Sequence, residues 1–192
     1  MQISVKDTDS GILYKLLTGL VIPRPIGWIS TVDENGINNL APFSFFNVVG
    51  EDPPHVMFST VRTGDKNKDT LNNVLANKQF AVNLVTEDVV EQMNTTSNAV
   101  ENAVDEFQLA NLTPISCELI KPKRVAEAKA HFEYHKNGGA CIVIGKVLMM
   151  HIADEILLEN YRINLDKYQP VARLAGSNYS KLGETFSIKR NL

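Results

Sequence analysis

The sequence predicts a mainly β fold, an antiparallel barrel with a few short helices, and three observations point to it. Strand-like apolar segments recur along the chain, turn residues join several of them at hairpin spacing, and the helical patterns between them are brief. No Gly-x-Gly-x-x-Gly run follows a strand, which argues against a doubly wound dinucleotide-binding sheet. A chain of 192 residues is long enough for one full hydrophobic core and short for two. With no repeat, low-complexity tract or linker to divide it, residues 1–192 are expected to form a single domain.

Taken in order, residues 26–32, IGWISTV, are β-branched and aromatic and run into the turn signal Asp33-Glu34-Asn35-Gly36, a strand entering a hairpin. Residues 55–61, HVMFSTV, form a second strand, entered through Asp52-Pro53-Pro54, where proline cannot continue a ladder. Residues 79–85, QFAVNLV, alternate Phe80, Val82 and Leu84 against Ala81, Asn83 and Val85 and make a third. Between the last two, KDTLNNVLANK places Leu71, Val74 and Leu75 at helical spacing, with Asp69 as the expected N-cap. A short helix is expected over residues 87–94. AKAHFEYH and ACIVIGKVLMMHI flank Lys136-Asn137-Gly138-Gly139, the signature of a long hairpin. The tail ARLAGSNYSKLGETFSIKR holds too many turn residues for a long helix.

Composition narrows the function classes. Hydrophobic residues at 44% and charged residues at 21% suit an ordinary soluble globular protein. A net charge of −3 argues against a general nucleic-acid binder, and the short basic run Lys121-Pro122-Lys123-Arg124 reads as a solvated loop. Cys117 and Cys141 are too few and too isolated for a disulfide framework or a Cys-rich metal site, so a reducing compartment fits. Cys141, within ACIVIG, reads as a small core residue. The opening MQISVKDTDS lacks a basic segment followed by an apolar one, and no apolar run approaches the ~18 residues that span a bilayer. The expected location is the cytoplasm, without a membrane partner.

His131 and His135 raise a metal hypothesis. In a strand, positions i and i+4 share a face but lie about 13 Å apart at ~3.3 Å per residue, too far for one zinc with Zn–N near ~2.1 Å. A helix there would let the pair chelate; the context reads as strand, and no metal is expected. No Gly-x-Ser-x-Gly elbow, His-Glu-x-x-His or phosphate-loop signature is present. Ser44 sits between Phe43 and Phe45 with no adjacent base to activate it. No catalytic side chain is nominated, and the reactive atoms are expected to belong to a cofactor.

Two segments carry the binding argument. In NLAPFSFFN three phenylalanines surround one serine and one asparagine, and no group from Leu40 to Gly50 titrates near neutrality. Such a stretch is either plain core or the wall of a site for something flat and uncharged. The polar run from Ser59 to Thr70, STVRTGDKNKDT, then leaves a strand and enters a helix. Free N–H groups and the dipole at a helix N-terminus favour an anion. Arg62 can supply a forked pair of hydrogen bonds and Lys68 a point charge. The same run also fits a polar loop with a capping residue. An apolar wall beside an anion cradle suits flavin mononucleotide (FMN), though not that molecule alone.

The chain resembles the flavin reductase-like proteins of the FMN-binding split-barrel fold, including flavoredoxin-type members. The resemblance rests on PRPIGWIST, NLAPFSFFN, DPPHVMFS, KDTLNNV, FAVNLV and PVARLAGSNYSKLGETF, in the family's order from about Pro23 to Phe186. It implies an antiparallel split β-barrel and a homodimer with FMN near the subunit interface. It also nominates residues by position. Pro42, Phe43, Ser44 and Asn47 lie along the flavin ring and ribityl chain; Ser59, Arg62, Lys68 and Thr70 hold the phosphate. Asp69, itself an anion, is assigned to the helix cap. Where relatives commonly read RLGG, this chain has Arg173-Leu174-Ala175-Gly176, and a glycine with positive φ there would leave Ala175 strained.

The implied function is an FMN-dependent oxidoreductase of the flavin reductase type, with NADH or NADPH as hydride donor and electrons passed onward. The alternative is a non-catalytic FMN electron carrier, and a third reading is a barrel-shaped binding module without flavin.

Overall fold

The computed structural model describes residues 1–52, 54–60, 67–135, 149–152, 154–168, 171–173 and 179–189. The chain opens with β1 (Gln2–Ser4) and α1 (Ser10–Leu20), followed by β2 (Gly27–Val32), β3 (Asn38–Phe43), β4 (Phe46–Glu51) and β5 (Pro54–Phe58). Next come α2 (Asp69–Asn77), β6 (Gln79–Leu84), α3 (Val90–Thr95), α4 (Glu106–Leu109), β7 (Pro114–Ser116), β8 (Lys123–Val125) and β9 (His131–His135). The remaining elements are β10 (Met149–His151), β11 (Leu157–Leu158), β12 (Arg162–Ile163), α5 (Leu165–Tyr168), β13 (Val171–Arg173) and β14 (Tyr179–Lys181). The architecture is mainly β with a few helices. Among the described residues every strand pair is antiparallel, giving one four-stranded sheet, β3-β2-β6-β9, and five two-stranded ladders. The hairpin turn expected at residues 136–139, together with Cys141 and Ala175, lies outside the described residues.

The chain divides into two compact units, the first built from residues 25–141 with 188–192. At its centre β2 pairs with β3 and β6, Ile29 standing opposite Ala41 on one side and Val82 on the other. Successive side chains of a strand point to opposite faces. Trp28 therefore joins one cluster, with Leu40, Met93, Phe107 and Val125, and Ile29 joins another, with Phe43, Phe46, Phe80 and Val82. Within the second cluster the Phe58 ring lies 5.1 Å from both Phe43 and Phe80, centroid to centroid, tilted to one and edge-on to the other.

The turn between β2 and β3 follows its sequence. Asp33 Oδ1 accepts hydrogen bonds from the amides of Asn35 and Ile37 at 2.9 and 2.7 Å, and Gly36 takes a φ of +86°. Gly27 answers a different need: a Cβ there would lie 2.6 Å from Cδ2 of Phe46. Pro54 does not stop the ladder short but forms its first residue, opposite Glu51, where a missing amide is tolerated. The basic run expected as a loop contributes β8, which pairs with β7, while Ser30 donates its hydroxyl to the Lys123 carbonyl. Backbone pairing, not charge, decides that segment.

The second unit draws on residues 1–24 and 142–187. Its helix α1 is not among the elements expected from the sequence. Asp9 is its N-cap, accepting from the amides of Gly11 and Ile12. Ile12, Leu13, Leu16, Leu17 and Leu20 then form an apolar stripe that packs with Ile3, Ile152 and Ile163. Arg24 Nη1 donates to the carbonyls of Thr18 and Val21 at the end of this helix.

Candidate functional site

Helix α2 positions the site, and it docks through mixed contacts. Of the apolar residues at helical spacing, Val74 packs on the Ile29 cluster, but Leu75 is 49% exposed and the buried residues are Thr70 and Asn73. The strands it meets explain the polar part. They offer Asn39, whose Nδ2 donates to Thr70 Oγ1 at 3.1 Å, and Thr31, whose Oγ1 accepts from Asn73 Nδ2 at 3.1 Å. Asn77 Nδ2 completes the seam by donating to the Val32 carbonyl at 2.7 Å. Asp69 is not the N-cap. Lys68 occupies that position with extended backbone and no side-chain cap, and Asp69 is the first helical residue, where its charge favours the dipole.

Where α2 meets the edge of β3, a cavity of about 400 Å³ opens, lined by Asn39, Pro42, Lys68, Thr70, Thr96 and Glu106 among others. A smaller one of about 70 Å³ shares Asn39, Asp69 and Glu106 and adds Asp33 and Glu101. Three of the nominated residues, Pro42, Lys68 and Thr70, therefore meet at one cavity. Phe43 is buried in the apolar cluster, with the Lys68 ammonium 5.9 Å from its ring centroid. Ser44 is half-buried in the link between β3 and β4. Asn47 and Ser59 are exposed and lie outside the cavity lining. Asn47 Oδ1 accepts from the Val48 amide at 2.9 Å, and the Ser59 amide donates to the Phe45 carbonyl at 2.9 Å. Arg62 lies outside the described residues.

Sequence reasoning missed Glu106. It starts the short helix α4, whose N-cap Asp105 accepts from the amides of Phe107 and Gln108 at 2.9 and 3.4 Å and from Asn38 Nδ2 at 2.8 Å. Among the described residues β3 is the outer strand of its sheet, so its outward amides need partners. Glu106 Oε2 supplies one, accepting from the Leu40 amide at 2.6 Å. Burial pushes the Glu106 carboxyl up to about 7; the Leu40 amide opposes that shift, Asp69 and Asp105 add to it, and Lys68 counters it. The capping aspartate was the available signal for α4, but nothing local marks its neighbour as buried.

Other reactive side chains offer less. Burial, reinforced by Glu133, pushes the Cys117 thiol up to about 11, which leaves it protonated and a poor nucleophile at neutral pH. His131 and His135 both lie on β9, and His131 Nε2 sits 2.8 Å from the Val125 carbonyl. Among the described residues no group of three or more potential ligands gathers in metal-binding geometry, and no helix is long and apolar enough to cross a membrane.

Comparison with known proteins places the chain in a family. The flavin reductase like domain covers residues 19–169. An uncharacterised protein of Aquifex aeolicus (strain VF5) is 45% identical over 187 residues, covering 94% of this chain and 95% of its own. Among solved structures, nitrilotriacetate monooxygenase component B from Bacillus cereus is 33% identical, with 97% of each chain covered and a TM-score of 0.70. A split barrel domain from Shewanella frigidimarina NCIMB 400 is 18% identical, covers 96% of this chain and 94% of its own, and superposes with a TM-score of 0.60; it speaks to fold alone. By the extent of the domain match and the identity to these relatives, the chain belongs to the flavin reductase-like domain family.

Proposed function

We propose that this chain is an FMN-dependent oxidoreductase, a single cytoplasmic domain over residues 1–192 that works as a homodimer on an antiparallel split barrel. It takes a hydride from NADH or NADPH and passes electrons onward. The observation that carries the reading is the meeting of Pro42, Lys68 and Thr70 around one cavity, in a chain of the flavin reductase-like family.

The residues fit the cofactor. The cavity falls within the ~300–1,000 Å³ typical of small-molecule sites. Its lining joins a neutral wall at Pro42 to a helix N-terminus whose N-cap, Lys68, makes no side-chain cap, a pairing suited to an uncharged ring and a phosphate. Lys68 and Thr70 would hold the phosphate, joined by Ser59 and Arg62 from the same polar run of the sequence. Pro42, Phe43, Ser44 and Asn47 would flank the ring and ribityl chain. Bound FMN would accept the hydride and supply the electron-transfer chemistry. The chain supplies binding, orientation and shielding from water, which requires no dedicated base.

The test is an absorption spectrum of the purified protein followed by anaerobic titration with NADH and NADPH. A yellow protein that bleaches rapidly supports the enzyme. Reduction only by another protein would replace it with an electron carrier, and a colourless protein after reconstitution would sink the flavin reading. Phosphate recognition has its own check. Charge-assisted hydrogen bonds of roughly 1.5–3 kcal/mol each make FMN bind at least about a hundredfold tighter than riboflavin. Lys68→Ala narrows that gap, whereas equal wild-type affinities would remove the phosphate cradle.

A further inference from the structure

The two oxygens of Glu106 stand in different situations. The residue is 8% exposed. Oε2 faces the Leu40 amide, whose nitrogen already carries the hydrogen, so this oxygen acts only as an acceptor. Oε1 makes no hydrogen bond among the described residues, while Glu106 lines the cavity that also holds Asn39, Lys68 and Thr70. A proton on this carboxyl therefore sits on Oε1, the oxygen that does not accept from the strand. The surroundings favour carrying it. Asp69 at the start of α2 and the capping Asp105 press negative charge toward Glu106, and Asp33 and Glu101 line the smaller cavity with it. The opposing cation is Lys68, which is solvent-exposed.

We propose that Glu106 is a proton-carrying binding residue, meeting the ligand as a neutral acid and donating from Oε1 to an acceptor oxygen of bound FMN. The identity of the ligand rests on the flavin reading above; the proton's place rests on the Leu40 contact. Ionised, the carboxylate would face the ligand's oxygens and phosphate with like charge. Above the carboxyl's own titration point, near 7, each binding event then takes one proton from solvent onto Oε1, and no other bond is made or broken. Glutamine reproduces the neutral acid at this position. Its amide oxygen accepts from Leu40 and its Nε2 donates into the cavity, without a titration.

The experiment is calorimetric titration of wild type and Glu106→Gln with FMN across the neutral range, in pairs of buffers with different ionisation enthalpies. Expected for wild type is a loss of affinity of about tenfold per pH unit on the alkaline side, with uptake approaching one proton per FMN. Glu106→Gln should bind at alkaline pH at least about tenfold tighter than wild type, with that uptake gone. The FMN phosphate also titrates, near pH ~6, but equally in both proteins, so it cancels in the comparison. Proton uptake in wild type is read without the variant, so a folding defect in Glu106→Gln cannot hide the answer. FMN binding with the same pH profile in both proteins, or without uptake in wild type, overturns this inference alone. Failure of FMN to bind either protein at any pH overturns it together with the reading beneath it.

Discussion

On α4, Phe107 is fully buried in the apolar cluster around Trp28, whereas Glu106, one residue earlier, reaches the open edge of β3 and grips a single amide. The same short helix thus fastens to the same sheet by two kinds of force. The apolar side depends on area and volume and is indifferent to direction and pH. The polar side, continued through Asn39–Thr70 and Thr31–Asn73 along α2, depends on the direction of each bond and on one titrating group. A seam of that kind contributes less per residue but fixes which atoms face the cavity.

Removing volume from the apolar side should do the most damage. Phe107→Ala is expected to destabilise by about 3–5 kcal/mol, measured by denaturant unfolding, and by nearly the same amount at pH 5 and pH 8. A strong pH dependence of that loss would erase the distinction between the two sides.

Next in size is Glu106→Gln, with the opposite sign. The folded protein holds this carboxyl's proton up to about pH 7, while the unfolded chain releases it near 4.5. Wild-type stability from this group is therefore intact below about 4.5 and is lost as pH rises through 7. The variant should be unchanged near pH 4 and more stable at pH 8 by roughly 3 kcal/mol at most, since each pKa unit is worth ~1.36 kcal/mol. Thermal or denaturant melts at the two pH values decide it; a variant less stable than wild type at pH 8 would count against a buried, strained carboxylate.

Thr70→Val keeps the shape of its side chain but strands the buried Asn39 amide, and should destabilise by about 1–3 kcal/mol. No loss would mean that the seam is held by packing after all. Smallest in stability is Lys68→Ala, within about 0.5 kcal/mol because the side chain is exposed. Its FMN affinity should nonetheless fall about tenfold or more. A large stability change with unaltered affinity would reassign Lys68 from the ligand to the scaffold.

The elements legible in the sequence are those whose cause is local. β2, β5 and β6 follow from β-branched and alternating residues, the β2–β3 turn from Asp33 and Gly36, and α2 from helical spacing. That α2 also buries Thr70 and Asn73 was not legible, because their partners are Asn39 and Thr31 on strands some 30 to 40 residues away. Of the nominated binding residues, Pro42, Lys68 and Thr70 gather because strand β3 and the start of α2 adjoin; Asn47 and Ser59 sit apart on the β4–β5 hairpin and its exit. Glu106 was invisible for a plainer reason. A glutamate opening a helix is ordinarily a solvated dipole partner, and the Leu40 amide on β3, an outer strand among the described residues, makes this one a buried acceptor.

The chain's only tryptophan, Trp28, is fully enclosed and donates its indole N–H to Thr96 Oγ1 at 2.9 Å, and Thr96 in turn lines the larger cavity. The molecule thereby carries an internal lamp wired to its own pocket. Emission from the native state arises from one dry, hydrogen-bonded indole, so a red shift reports loss of the surrounding packing rather than an average over several sites. A change in intensity without that shift reports an event in the pocket rather than loss of packing. Folding and occupancy can be followed separately in unlabelled protein, in the same cuvette, by colour and by brightness.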